Sequence, residues 1–134
     1  MKILFLCVAN SARSQLAEGL AKSIFSHQKN IFIYSGFTEP GSVNPLALEA
    51  LNEVGIDASE QNSKNVSDFV NLDIDVVITL CAEEKCPVFP ESVEKLHWPL
   101  RDPAGDPAGI ESFRKVRDEL RVRLEAFATE RNLV

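Results

Sequence analysis

The sequence predicts an α/β fold: a single domain over residues 1–134, built on a four-stranded parallel sheet with helices on both faces. A run of apolar strand formers at residues 2–8 lacks polar alternation after Lys2, as strands buried on both faces do, and residues 74–80 read as a second buried strand with Val76, Val77 and Ile78 after Asp75. Apolar positions at helical spacing fill the stretches around them, and strands alternating with helices imply parallel pairing through right-handed crossovers. A length of 134 residues with 45% hydrophobic composition supports one core and leaves no room for a second domain.

The elements follow in order. Ile3, Leu4, Phe5 and Leu6 follow Lys2 without a polar break, giving the first strand at residues 2–8. A helix starts near Arg13, where Leu16, Leu20 and Ile24, flanked by Ala17, Ala21 and Phe25, form one apolar stripe. Residues 31–35 read as a second strand closed by Gly36. Pro45 suits a first helical turn, and Leu48, Leu51 and Val54 continue at helical spacing to Gly55, a C-terminal cap, so the second helix spans 44–54. Residues 63–70 are expected to form a short helix. Asp75 sits near the start of the strand at 74–80, before Val76, Val77 and Ile78, and residues 93–100 supply a fourth strand. Beyond a loop at 101–109, Phe113, Val116, Leu120, Leu124 and Phe127 mark a long closing helix. Ligands of such sheets sit at the carboxyl ends of the strands. Cys7, Cys81 and the Arg101 and Asp102 pair each follow a predicted strand, so they should gather on that edge.

Composition excludes several classes. The charged fraction of 25% fits a folded chain without repeats or low-complexity runs. The longest wholly apolar run, residues 3–9, is far short of the roughly 20 residues that cross a bilayer. Asn10, Ser11, Arg13 and Ser14 follow it at once, unlike a secretory signal, so a cytoplasmic address without membrane association is expected. A net charge of −6 disfavours nucleic acid and anionic membranes as partners, and an anionic ligand would need local donors to overcome the global repulsion. Three cysteines in such a compartment are buried hydrophobes, metal ligands or redox catalysts rather than a disulfide framework.

The first candidate site is the run Cys7, Val8, Ala9, Asn10, Ser11, Ala12, Arg13 and Ser14. A cysteine ends a buried strand, an arginine opens a helix, and the residues between are small or polar enough to turn their amides inward. Such a loop at a helix N-terminus cradles anions, because unpaired N–H groups and the positive end of the helix dipole converge there. It fits phosphate-shaped oxyanions. The same field favours a thiolate at Cys7, Ser14 can add a hydroxyl hydrogen bond to the sulfur, and Arg13 can grip two ligand oxygens. The competing reading makes Cys7 a buried strand-end hydrophobe and Arg13 a solvated helix residue. The second candidate pair is Cys81 and Cys86, with Pro87 following. Two thiolates are too few for a closed zinc site, and only His27 and His97 could assist, so no metal is expected. Two inert buried thiols remain an alternative. A redox role is favoured because Cys7 lies on the same edge.

Together these stretches resemble a known family. The loop resembles the phosphate-binding loop of the low-molecular-weight protein tyrosine phosphatases. Asn10-Ser11 followed by Arg13-Ser14-Gln15-Leu16-Ala17-Glu18-Gly19 is similar to their relatives, the thioredoxin-coupled arsenate reductases. So are Tyr34-Ser35-Gly36, Val43-Asn44-Pro45, Thr79-Leu80-Cys81, His97-Trp98 and Asp102-Pro103-Ala104-Gly105, a set spread over nearly the whole chain. The resemblance implies a flavodoxin-like topology, no cofactor, a monomer, arsenate as substrate with phosphate or sulfate as competing oxyanions, and thioredoxin as electron donor. It further implies that Cys7 is the nucleophile and Asp102 the loop acid. Cys81 is then the thiol that displaces arsenite, and Cys86 the thiol that carries the disulfide outward. Residues five apart on a helix are about 7.5 Å apart along its axis, whereas a disulfide wants Cα atoms within about 7 Å. A helical 81–86 stretch must therefore unwind to close, and the segment at 80–90, broken by Pro87 and Pro90, is expected to change conformation with redox state.

The chain departs from the family in places. Ala12 replaces a cysteine outside the relay, and the spacing from Cys81 to Cys86 is shorter than the commonest one. Some members bind potassium through residues matched here by Asn10, Glu18 and Ser35, but Lys64 stands at the position of the fourth ligand, an aspartate, where its ammonium could pair with Glu18. Two other readings stay open. One is a phosphomonoesterase that uses Cys7, Arg13 and Asp102, weakened because Ala104 replaces the aromatic residue usual in the phosphatases. The other is a non-catalytic arsenite or redox sensor. Trp98 is expected to pack beside the loop, His97 to be a structural partner, and the charges from Glu111 to Glu125 to form the wet face of the last helix.

Overall fold

The computed structural model describes residues 1–7, 12–37, 43–61, 72–81 and 93–133. Its elements are β1 (Lys2–Cys7), α1 (Arg13–Ile24), β2 (Phe32–Phe37), α2 (Pro45–Asn52), β3 (Val76–Thr79), β4 (Glu94–His97) and α3 (Ile110–Glu130). The strands form one parallel sheet in the order β2-β1-β3-β4, which is the flavodoxin-like order. β1 is central, and Ile3, Leu4, Phe5 and Leu6 are each fully buried. That position explains why its sequence shows no polar alternation.

Successive strand residues face opposite sides of the sheet. Ile3, Phe5, Val76 and Ile78 join the main core with Leu16 and Leu20 of α1, Leu51 of α2, and Phe113, Leu120 and Leu124 of α3. Leu4, Leu6, Ile74 and Val77 form a second buried cluster, with Tyr34 and Val93 packed against it. The short helix expected at residues 63–70 lies outside the described residues. Helices α1 and α2 approach closely at Gly19, where a Cβ would stand 2.7 Å from Leu51 Cδ1. Glycine permits that approach.

Several boundaries move. Gly36 does not close the second strand; it pairs with Leu6 inside β2, and the ladder runs on to the pairing of Phe37 with Cys7. Its backbone groups find partners on β1, so the missing side chain does not end the element. Asn44 is the N-cap of α2 rather than its first residue, its side-chain oxygen accepting from the Leu46 amide at 2.9 Å. Gly55 closes that helix as expected. At φ +80° it lets its own amide donate to the Asn52 carbonyl and the Ile56 amide to the Leu51 carbonyl, each at 3.0 Å. β3 and β4 are shorter than expected. Hydrogen bonds nevertheless continue past their carboxyl ends, from the Leu80 amide to the Leu6 carbonyl at 3.0 Å and from the Leu100 amide to the Leu80 carbonyl at 3.1 Å. Phe113, Val116, Leu120, Leu124 and Phe127 of α3 are all buried, as their spacing predicts.

The wet face of α3 carries the expected pairs Arg121 with Glu125 and Arg123 with Glu119. Two of its arginines do more. Arg114 Nε donates to Glu53 Oε1 at 3.0 Å and Arg117 Nη1 to the same oxygen at 2.8 Å, tying α3 to the end of α2. The Arg114 hydrogen bond, with help from Arg117, holds the Glu53 carboxyl at about 2, below its ordinary 4.5. A depressed folded value means that this tie is fully present above 4.5 and is lost as pH falls toward about 2. Glu53→Gln should therefore lower the urea midpoint most near neutral pH. The gap from wild type should close as pH drops through that window, and a gap independent of pH would contradict the assignment.

Candidate active site

The carboxyl edge of the sheet is where the candidate residues meet. The last ladder pair of β1 and β3 is Leu6 with Thr79. Cys7 follows Leu6 by one residue and Cys81 follows Thr79 by two, so the two cysteines end adjacent strands. Both are buried. β1 and β3 flank the point where the chain reverses its direction of travel across the sheet, the usual ligand site of this topology.

Helix α1 begins at this edge. Its N-cap is Ala12, which has no side-chain oxygen to offer the first amides, and its first turn holds no acidic residue. An anion approaching there meets no competing carboxylate on that turn. Ser14 is fully buried, and its Oγ lies 2.9 Å from Cys7 Sγ. The end of the strand and the start of the helix are thus in direct side-chain contact. Arg13, only 4% exposed, turns its guanidinium across the edge. Its Nη1 donates to the Leu100 carbonyl at 3.1 Å and to the Leu80 carbonyl at 3.5 Å. Its Nη2 lies 3.8 Å from Asp102 Oδ2. The Asp102 side chain is half exposed, and its Oδ1 accepts from the Ala104 amide at 3.0 Å. Cys7, Ser14, Arg13 and Asp102 are therefore brought together, and the Leu80 carbonyl that holds Arg13 belongs to the residue before Cys81.

Val8, Ala9, Asn10, Ser11, Cys86 and Lys64 lie outside the described residues. Behind the site, Glu18 is 1% exposed. It accepts a short hydrogen bond from the Ser35 hydroxyl and an ion pair from Lys22 Nζ at 2.7 Å. The described ammonium beside this carboxylate is that of Lys22, which sequence reasoning passed over although its spacing from Glu18 is that of a helical ion pair. It also missed the two strand-end carbonyls that orient Arg13, which no side-chain motif encodes. His97 is a structural partner, its Nδ1 2.7 Å from Thr79 Oγ1. The Trp98 ring stands edge-on to Phe127 with centroids 6.1 Å apart.

A buried cysteine at a strand end, a hydroxyl on its sulfur and a buried arginine at the following helix start thus meet on one edge of the sheet. Residues 2–133 match the family described as low molecular weight phosphotyrosine protein phosphatase. The chain belongs to that family. Within it, the chain is 44% identical over 129 residues to arsenate reductase 2 of Staphylococcus epidermidis, covering 95% of each. A solved arsenate reductase in the phosphate-binding state superposes with a TM-score of 0.80 at 36% identity, covering 96% of this chain and 97% of that one. A thioredoxin-dependent arsenate reductase of Corynebacterium glutamicum matches at a TM-score of 0.77 and 28% identity, over 98% of this chain and 62% of that longer one.

For a family member the Ser14 contact has a measurable consequence. Ser14→Ala removes the hydroxyl that touches the sulfur and should measurably change the rate at which iodoacetamide alkylates Cys7. An unchanged rate would mean that the hydroxyl does not support the sulfur.

Proposed function

We propose that the protein reduces arsenate to arsenite, with Cys7 as nucleophile and Cys81 and Cys86 as a relay regenerated by thioredoxin. The observation that carries this reading is the placement of two buried cysteines at the ends of adjacent strands, one touching Ser14 and the other next to the carbonyl that holds Arg13. A phosphatase needs only the first. The likeness to arsenate reductases over nearly the whole chain supports the same reading.

The amides of the loop from Val8 to Arg13, including those of Ala9, Asn10, Ser11 and Ala12, and the Arg13 guanidinium bind the oxyanion. The Cys7 thiolate attacks arsenic while Asp102 gives a proton to the departing oxygen, which leaves as water. A sulfur–arsenic(V) adduct results. The Cys81 thiolate then attacks the Cys7 sulfur; a disulfide forms, the sulfur–arsenic bond breaks, and its electron pair reduces arsenic to the trivalent state as arsenite departs. The Cys86 thiolate exchanges with this disulfide, releasing Cys7 and leaving Cys81 joined to Cys86 for an external dithiol, thioredoxin, to reduce. Such a cycle requires a reducing compartment, and a cytoplasmic monomer is the form proposed. Among the described residues no helix is long and apolar enough to cross a membrane. Phosphate esters share the shape and charge of arsenate, so Cys7, Arg13 and Asp102 also support a weak phosphatase side reaction.

The test follows NADPH oxidation in the presence of thioredoxin, its reductase and arsenate. Serine at Cys7, at Cys81 or at Cys86 should each reduce turnover to background, while ester hydrolysis is lost only with Cys7. Full turnover without Cys81 would contradict the relay, and binding without turnover in the wild type would favour a sensor.

A further inference from the structure

We propose that Asp106 is the positioning residue that holds the loop bearing Asp102 over the anion site; the proposal rests on the acid role given to Asp102 above. Asp102 is half exposed, and among the described residues it is tied to the Ala104 amide within its own turn and to the distant edge of Arg13. Packing does little for it on the outer side. There a cleft of about 420 Å³ opens between the loop and α3, lined by Arg101, Asp102, Pro103, Asp106, Lys115 and Val116 among others. On the inner side Pro103 is buried and Ala104 packs against the core, while on that flank, with space rather than side chains, the loop's outer side is held by polar ties.

Asp106 supplies them in three directions. Its Oδ1 accepts from the Ala108 amide at 2.8 Å, fixing the turn that leads into α3. The Ser112 side chain in the first turn of α3 and the Lys115 charge one turn further on both act on the carboxylate and favour its charged form. Its Oδ2 lies 3.6 Å from Arg101 Nη2, on the residue immediately before Asp102. The Asp106 side chain is 16% exposed against 50% for Asp102. Its backbone joins the same knot, the amide donating to the Pro103 carbonyl at 3.3 Å and the carbonyl accepting from Gly109 at 2.9 Å. Gly105 and Gly109, at φ +78° and +62°, give the chain the turns this arrangement needs.

The Ala108 amide, followed by Ser112 and the nearby cations, holds the Asp106 carboxyl below its ordinary 3.8. Asp106 therefore stays charged as an anchor beside the residue it positions. A catalytic group displaced by about 1 Å loses up to about 100-fold in rate, so losing the anchor should appear in the protonation-dependent step rather than in binding.

The experiment measures arsenate-dependent loss of thiols in a single turnover of the reduced protein, with circular dichroism and thermal unfolding as checks of the fold. Asp106→Ala should slow the step about tenfold, with half-saturating arsenate changed less than about twofold. Asp106→Asn keeps an oxygen for the Ala108 amide but loses the charge facing Arg101 and Lys115, so its rate should fall between those of wild type and Asp106→Ala. In an Asp102→Asn background, Asp106→Ala should cause no further loss, because the anchor acts only through the acid. The same factor lost in both backgrounds, or a wild-type rate for Asp106→Ala beside an impaired Asp102→Asn, would overturn the proposal alone. A wild-type rate for Asp102→Asn would remove the acid role itself, and the proposal with it. Should Asp106→Ala fail to fold, Ser112→Ala serves in its place, with a loss of about threefold expected only when Asp102 is present.

Discussion

The contact between Cys7 Sγ and Ser14 Oγ is the constraint on which the rest of the molecule turns. It joins the last residue of the central strand to the first turn of the helix that follows. It thereby fixes the sulfur against the positive end of a helix whose N-cap has no side-chain oxygen. Burial of Cys7 and Ser14 inside the sheet and helix layers keeps water from competing for that contact. A nucleophile placed there is oriented by the fold rather than by a mobile side chain.

The parallel sheet then makes the remaining chemistry local. With every strand pointing the same way, the ends of β1 and β3 and the loop that follows β4 all arrive on one edge. Arg13 draws on the last two of them, since carbonyls of Leu80 and Leu100 fix its guanidinium while Asp102 stands beyond it. Neutral carbonyls orient the cation without cancelling its charge. That matters in a chain of net charge −6, where an incoming oxyanion is repelled at long range and must be captured by donors at close range. Glu18, the buried carboxylate nearest in sequence, is itself paired with Lys22 and bonded to Ser35.

Much of this was legible in the residues. The unbroken apolar run of β1 after Lys2 and the Val76, Val77 and Ile78 core of β3 marked buried parallel strands, and the stripe from Phe113 to Phe127 marked α3, because burial on both faces and burial on one helical face leave different periods in a sequence. Cys7, Arg13 and Ser14 could be read together because strand, loop and helix start are all local. Boundaries were less legible: Gly36 looks like a terminator but pairs within β2, and hydrogen bonding to a neighbouring strand is not written in the strand's own composition. The ties from Arg114 and Arg117 to Glu53 join helices about 60 residues apart in sequence, and no periodicity reveals such a pair. The same holds for the carbonyls that orient Arg13, since backbone acceptors carry no residue signature. Asp106 was passed over because its role depends on a cleft that exists only once the loop is folded against α3.

The most direct measurement is a crystal structure of the reduced protein grown in phosphate. The account predicts a phosphate seated over Cys7 Sγ, held by main-chain amides at the start of α1 and by the Arg13 guanidinium, with the Ser14 hydroxyl still on the sulfur. A reduced crystal in which phosphate avoids that edge, and Cys7 is sealed beneath side chains that leave no volume for an anion, would contradict it.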